Sequence, residues 1–195
     1  MRIEPGKTTL LAIAALAVLA IGLAPEVTRG DEETTERFRA NAISAGGGRS
    51  GTTTIDIDIE RWSSDEERSK LLEAVQTNNP DEMIGTMRGF DRVGTARLRN
   101  RLSYDIQYSR EIVDGGTRTV ILATDRPIAM EEARRRSRTM DHNVSIIQMQ
   151  LDEEGNGEGT LMVGAELVWD AETETLEVTQ FTTQPVRLTN IRHRN

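Results

Sequence analysis

Apolar and polar residues alternate along much of the chain, and this pattern predicts β-strands. Ile55, Ile57 and Ile59 alternate with acidic residues, and the run Leu161–Trp169 alternates without a break. A period of two places one set of side chains on a buried face and the other set in water. Glycine-rich connections between such runs, for example at Asp114–Gly116, favour hairpin turns. The pattern therefore predicts antiparallel strands that follow one another along the chain.

Other strand signals carry more apolar residues than one buried face requires. Val144 and Ile146 overlap a second alternation that begins at Ile147. Val120–Ala123 is a continuous apolar run, which is typical of a strand buried on both faces. Leu102–Val113 is predicted as one strand, with Tyr104, Ile106 and Tyr108 on the same face.

One segment near the front has helical spacing instead. Ser63 or Ser64 can cap a helix, with an acidic residue three positions later completing a capping box. Pro80 suits the first turn of a second helix. We predict a helical insertion at about 63–88, and a weaker helical signal covers 128–136. With about eight strands, the fold class is mainly β (α+β), as an antiparallel barrel-like or strongly bent sheet.

Residues 1–30 differ from the rest of the chain. Arg2 and Lys7 precede the uncharged apolar run Leu10–Leu23, whose length fits a secretory signal and falls short of the roughly 20 residues of a membrane span. Ala20-Ile21-Gly22 has the small residues that a signal peptidase prefers. We predict a signal peptide and cleavage region at 1–30, a disordered lead at 31–36 and a single β-rich domain at 37–195. An uncleaved N-terminal anchor is the alternative.

The net charge and the cysteine content of the chain limit the partners and the covalent links that we expect for it. The 195-residue chain has a formal net charge of −8 and no cysteine. Loss of residues 1–30 would remove three basic and two acidic residues, so the mature chain is more acidic still. This balance argues against general affinity for nucleic acid or anionic lipid. We expect a periplasmic or extracellular protein with no stable membrane span after cleavage and no disulfide.

The stretch Ala45–Trp62, AGGGRSGTTTIDIDIERW, resembles a phosphate-binding loop at first sight. A P-loop requires a lysine before its Ser or Thr and a helix after it. Here Arg49 precedes Ser50, and a strand follows. The glycine-rich part that precedes this strand is therefore interpreted as a flexible hairpin loop.

A second loop, Asp152–Gly159, resembles part of a calcium-binding loop. Asp152, Glu154 and Asn156 occupy the first three ligand positions of an EF-hand. Val163 stands where the last ligand should be, and strands flank the loop. The three residues are a weak calcium candidate, and an exposed hairpin tip is the alternative.

A basic cluster follows the weaker helical signal. Clustered guanidinium groups can hold an anionic ligand or the acidic surface of a partner. Glu131 and Glu132 have the spacing to neutralise these arginines along a helix. The candidate anion-binding residues are Arg134, Arg135, Arg136 and Arg138.

Catalytic chemistry has few candidates. The only histidines are His142 and His193, and no catalytic or transition-metal motif surrounds either. We therefore predict no catalytic residue, no cofactor and no metal beyond the weak calcium candidate.

Four strings together resemble a family of uncharacterised exported bacterial proteins, over roughly Arg37–His193. The resemblance implies one compact secreted domain and transfers no site. The strings are IERWSSDEER (Ile59–Arg68), LATDRPI (Leu122–Ile128), QMQLDEEGNGEG (Gln148–Gly159) and QPVRLTNIR (Gln184–Arg192).

Small antiparallel barrels either fill their interior or hold one small ligand. By this analogy of fold, we expect an exported, non-catalytic protein that binds a small apolar ligand in a β-barrel. One alternative is an interaction or scaffolding module that contacts a cell-envelope protein through its Arg-rich surface. A second is a hydrolase that uses carboxylates and His142.

Overall fold

The computed structural model describes residues 19–20, 33–44, 51–128, 144–171, 175–181 and 184–194. Strands dominate these ranges, and their two helices lie where the sequence predicts the helical insertion. In chain order, the elements are β1 Leu19–Ala20, β2 Glu33–Ser44, β3 Gly51–Arg61, α1 Asp65–Gln76, α2 Pro80–Arg88, β4 Gly94–Leu98, β5 Ser103–Ile106, β6 Tyr108–Asp114, β7 Thr117–Thr124, β8 Val144–Leu151, β9 Gly157–Asp170, β10 Thr175–Phe181 and β11 Val186–Arg194.

The strands form one antiparallel sheet that nearly closes on itself. Its order is β5-β4-β3-β2-β11-β9-β8-β7-β6, with β10 added to β9 and β1 paired with β10. The two ends of the path, β5 and β6, are separated in the chain only by Gln107. The backbone N–H of Gln107 donates to Ala123 O at 3.0 Å, and its side-chain oxygen accepts from the backbone N–H of Asp125 at 3.2 Å. The predicted antiparallel, barrel-like sheet is confirmed. The predicted disordered lead at 31–36 is wrong for residues 33–36, because they belong to β2: Glu36 lies opposite Ile59 of β3 and its carboxylate accepts hydrogen bonds from Arg118 of β7.

The interior of this sheet is filled by its own side chains, and we call this cluster the barrel core. Ile55, Ile57 and Ile59 of β3 are fully buried in it, as their alternation predicts. The other strands contribute residues such as Phe38 and Leu161. Burying large aliphatic side chains stabilises a fold by about 1.5–3 kcal/mol each. The barrel core is therefore the main source of stability in a chain without disulfides.

A second apolar layer lies on the outer face of the sheet, where α1 and α2 cover β7, β8 and β9. Ile121, Ile146 and Met162 from the sheet pack with Val75 and Met83 from the helices. Because β7 and β8 are buried on both faces, they carry apolar residues at successive positions. This confirms the interpretation of Val120–Ala123 as buried and explains the two overlapping alternations in β8.

Two of the predicted alternations change face within their length. At Gly164, φ is 62° and the β8–β9 register shifts, so that Ser145 lies opposite Val163 but Val144 opposite Ala165. Leu161 and Val163 consequently belong to the barrel core, whereas Ala165 and Leu167 lie on the helix-covered face. The unbroken alternation over Leu161–Trp169 therefore does not correspond to one buried face, because a β-bulge re-aims the strand.

The segment Leu102–Val113 behaves in the same way. It forms two strands, β5 and β6, with Gln107 between them. Tyr104 and Ile106 point into the barrel core, but Tyr108 packs with Met87 on the helix side. The prediction that the three residues share a face is therefore wrong. Gln107, between the two strands, reverses which residues of the alternation face the barrel core.

The helical insertion begins with the predicted capping box. Ser64 Oγ accepts from the backbone N–H of Glu67 at 3.2 Å, and the backbone N–H of Ser64 donates to Glu67 Oε2 at 2.9 Å. Arg61, at the end of β3, donates two hydrogen bonds to the same carboxylate at 2.8 and 2.9 Å. The N-terminus of α1 is thereby fixed to the sheet. Asn79 caps α2, with Pro80 at its first turn as predicted.

Candidate functional site

An apolar pocket lies between the two helices and the outer face of the sheet, and we call it the helix–sheet pocket. Its volume is about 80 Å³. On the helix side it is lined by residues such as Leu71, Val75 and Met87, and on the sheet side by residues such as Ile121 and Ile146. Concave, mostly apolar sites of this kind, with a few polar groups at the edge, are typical of small-molecule binding.

The sheet wall of this pocket depends on the two phase changes described above. After Gln107, the outward-facing residues of β6 are Tyr108, Arg110 and Ile112, and all three line the pocket. After Gly164, Leu167 of β9 faces the same pocket. Without these irregularities, the side chains that follow Gln107 and Gly164 and line the pocket would point into the barrel core instead.

Two arginines bring positive charge to the pocket. Arg110, on β6, is only 6% exposed, and its Nη1 donates to Asp65 Oδ1 at 3.1 Å. Asp65 is the first residue of α1 and its carboxylate is exposed to solvent. Arg68, one turn further along α1, is half-buried and also lines the pocket. A guanidinium carries five N–H donors in a planar fork, so it can hold more than one carboxylate.

The polar signal that sequence reasoning missed is Arg110. It lies between Tyr108 and Ile112 on β6. The alternation alone does not determine which face of this strand points toward the helices, so the proximity of Arg110 to an apolar pocket could not be predicted. Leu71, Val75, Met83 and Met87 recur at helical spacing within the predicted insertion, a pattern that is typical of core packing. Their second role as a pocket wall depends on where the helices dock.

A charged cluster lies against Trp62 of the barrel core. Arg118 Nη2 and Nη1 donate to the two oxygens of Glu36 at 2.7 and 2.8 Å, and Arg118 Nε donates to Glu111. The guanidinium lies 5.7 Å from the ring centre of Trp62. Burial lowers the pKa of Arg118, but the two carboxylates outweigh burial and hold this pKa above its ordinary value. The cluster joins β2 to β6 and β7 as a structural ion-pair network.

The residues of the weak calcium candidate form the tip of the β8–β9 hairpin. Asp152 Oδ1 accepts from the backbone N–H groups of Glu154 at 3.1 Å and Asn156 at 2.8 Å, and Gly155 has φ of 78°. The carboxylate of Asp152 thus organises the turn. Within the described ranges, no three Asp, Glu or His side chains converge as a metal site.

Other predicted candidates lie outside the described residues. These are Arg134, Arg135, Arg136, Arg138 and His142. The flanks of the glycine-rich stretch are described: β2 and β3 pair antiparallel, with Ser44 opposite Gly51. The stretch therefore joins adjacent antiparallel strands, as the hairpin interpretation predicts. His193 is described, and its ring packs edge-on against Phe38 at 5.4 Å.

Comparison with known proteins adds no homologue. No family model, curated protein or solved structure matches this chain. The resemblance to exported bacterial proteins therefore stays a prediction. No helix within the described ranges has the length and apolar character needed to cross a bilayer.

Proposed function

We propose that this chain is an exported, non-catalytic binding protein whose small ligand occupies the helix–sheet pocket. The sequence hypothesis places an apolar ligand inside the barrel. Ile57, Leu161 and Leu188 are among the fully buried residues that pack in the barrel core, so the interior is occupied by the chain itself. The outer pocket has the apolar wall that the hypothesis requires, and this single observation carries the proposal.

The size of the pocket limits the ligand. A volume of about 80 Å³ is smaller than the engineered cavity of roughly 150 Å³ that binds benzene. The pocket therefore suits a short alkyl chain rather than a ring. Met83 and Met87 line it, and unbranched thioether side chains adapt to ligands of different shape.

The arginines favour a ligand with an acidic end. Arg110 and Arg68 both line an otherwise apolar wall, and Arg110 already engages the carboxylate of Asp65. A charge-assisted hydrogen bond from a guanidinium to a carboxylate is about twice as strong as a neutral one. We therefore propose a short-chain carboxylic acid as the ligand class, with its chain among the apolar residues and its carboxylate at the arginines.

Calorimetric titration with hexanoate and with hexan-1-ol tests this proposal. We expect hexanoate to bind more tightly, because the alcohol lacks the charge that the guanidinium groups recognise. Ala123→Leu should fill the pocket and abolish hexanoate binding without lowering the melting temperature, since filling a cavity adds apolar contacts. Leu71→Ala should enlarge the pocket and shift the preference to a longer chain.

Leu102→Ala is the control, because Leu102 is 78% exposed and does not line the pocket. It should bind hexanoate like the parent protein. The proposal is wrong if a folded Ala123→Leu variant retains parental affinity, or if hexanol and hexanoate bind equally.

The export component is supported by the predicted signal peptide at 1–30. Expression in a bacterial host followed by fractionation and intact mass measurement tests it. We expect a processed chain outside the cytoplasm, shortened near Gly22. Recovery of the full-length chain from the cytosol would contradict export and leave the binding proposal to its own titration.

A further inference from the structure

Four arginines form two like-charge pairs on the outer face of β2 and β11. Arg39 lies directly opposite Arg192, and Arg37 directly opposite Arg194. All four are exposed, because Phe38 and Ile191, which alternate with them, point into the barrel core. Like charges directly opposite each other destabilise an antiparallel pair. These two pairs therefore require compensation by negative charge.

Compensation within the described residues is incomplete. Asp56 on β3 accepts two hydrogen bonds from Arg39, at 2.6 and 3.1 Å, and lies 3.7 Å from Arg194. Asp58 lies 3.9 Å from Arg37. Arg192 forms no salt bridge with any residue that the structure describes. Two carboxylates thus face four guanidinium groups, on a chain whose overall charge is −8.

A groove runs beside three of these arginines, Arg39, Arg192 and Arg194, and we call it the β2–β11 groove. Its volume is about 420 Å³, and its lining includes Arg39, Asn41, Asn190, Arg192 and Arg194. The register of β11 against β2 shifts between Thr189 and Arg192, and Asn190 has φ of 51°. A bulge of this kind re-aims side chains and bends the strand. It thereby brings an amide side chain to the groove beside the guanidinium groups.

We propose that the β2–β11 groove binds a phosphate group. A phosphate monoester carries about 1.5 to 2 negative charges and three strong acceptor oxygens at neutral pH. That charge matches the excess of two guanidinium groups better than a single carboxylate does. The planar fork of each arginine can donate two parallel bonds to such a group, and the two asparagines supply further donors. The site uses different strands from the helix–sheet pocket and is independent of the proposed function.

The same phosphate chemistry occurs in free phosphate and in the headgroup of an anionic lipid. Titration with inorganic phosphate at low ionic strength, monitored by the arginine Nε–H signals in NMR spectra, tests the shared chemistry. Sedimentation with phosphatidylglycerol vesicles and with phosphatidylcholine vesicles distinguishes the sources. Selective binding to phosphatidylglycerol would assign a lipid headgroup, and phosphate binding without vesicle binding would assign a soluble phosphate.

Arg192→Gln is the decisive variant. It should weaken phosphate binding about tenfold, the loss expected for one charge-assisted hydrogen bond. Without phosphate it should raise the melting temperature, because it removes the repulsion from Arg39. These opposite effects cannot arise from a variant that merely folds poorly.

Arg187→Gln is the matched control. Arg187 lies on the same strand, is similarly exposed and stands 3.7 Å from Glu158, outside the groove. It should retain parental phosphate affinity. The proposal is overturned if Arg192→Gln and Arg187→Gln respond equally, if Arg192→Gln lowers the melting temperature without phosphate, or if neither phosphate nor vesicles bind.

Discussion

Glu67 shows how a single residue couples the helical insertion to pH. Burial raises the pKa of its carboxyl, but the hydrogen bonds from Arg61 and from the Ser64 N–H outweigh burial and lower the pKa below the ordinary value of 4.5. A group whose pKa is lower in the folded state stabilises the fold when charged. This stabilisation is fully present above about pH 4.5 and is lost as the pH falls through the folded pKa.

Glu67→Gln should therefore flatten the dependence of the unfolding free energy on pH below about 4.5, relative to the parent protein. Glutamine can still accept the capping hydrogen bond from Ser64, so α1 should remain capped. Chemical denaturation between pH 3 and 7 measures the effect. Glu73→Gln, at an exposed position of α1, is the control and should keep the parental slope. Equal slopes for Glu67→Gln and the parent would contradict this account.

At the scale of residues, the sequence predicts hydrogen bonds between residues close together in the chain better than those between residues far apart in it. Ser64 and Glu67 are three residues apart, so their capping box is visible as a motif. The bonds from Arg61 depend on the angle between β3 and α1, and Arg110 meets Asp65 from a strand 45 residues away. No spacing rule encodes such contacts. The two arginine pairs between β2 and β11 likewise depend on the register between strands near opposite ends of the chain.

At the scale of elements, β9 shows why period-two patterns predict a strand but not its faces. Leu161, Val163, Ala165 and Leu167 alternate regularly in the sequence. The two residues before Gly164 lie in the barrel core, whereas the two after it lie on the helix-covered face. Both faces are apolar at this part of the sheet, so the alternation continues across the bulge. The pattern cannot reveal the change, because it records burial without recording which side is buried.

Gly164→Ala should lower the unfolding free energy by about 1–2 kcal/mol, the cost of a left-handed conformation for a residue with a Cβ. The φ of 62° at this position is the reason. Thermal or chemical denaturation measures the change.

Gly85→Ala is the matched glycine variant. Gly85 lies within α2, and an added Cβ there meets no atom within 4 Å. Alanine should stabilise the helix by about 0.5–1 kcal/mol. If Gly164→Ala leaves the unfolding free energy unchanged or raises it as Gly85→Ala does, the bulge does not depend on the left-handed backbone.

At the scale of the whole molecule, hairpin signals and strand patterns were sufficient to predict an antiparallel, barrel-like sheet with a helical insertion. They were insufficient to place the pocket. The insertion could have packed at an end of the barrel or on its side, and only its contact with β7, β8 and β9 creates the apolar wall. Local periodicity describes each element separately, whereas a pocket is a property of two elements after docking.

The central claim is that side chains fill the barrel core and that a ligand binds outside it, between the sheet and the helices α1 and α2. Titration of isoleucine-methyl-labelled protein with hexanoate, followed by NMR, tests this claim most directly. We predict that the methyl signals of Ile121 and Ile146, which line the helix–sheet pocket, shift on titration, while those of Ile57 and Ile147 in the barrel core remain unchanged. Shifts at Ile57 and Ile147, or no shift at Ile121 and Ile146, would contradict it.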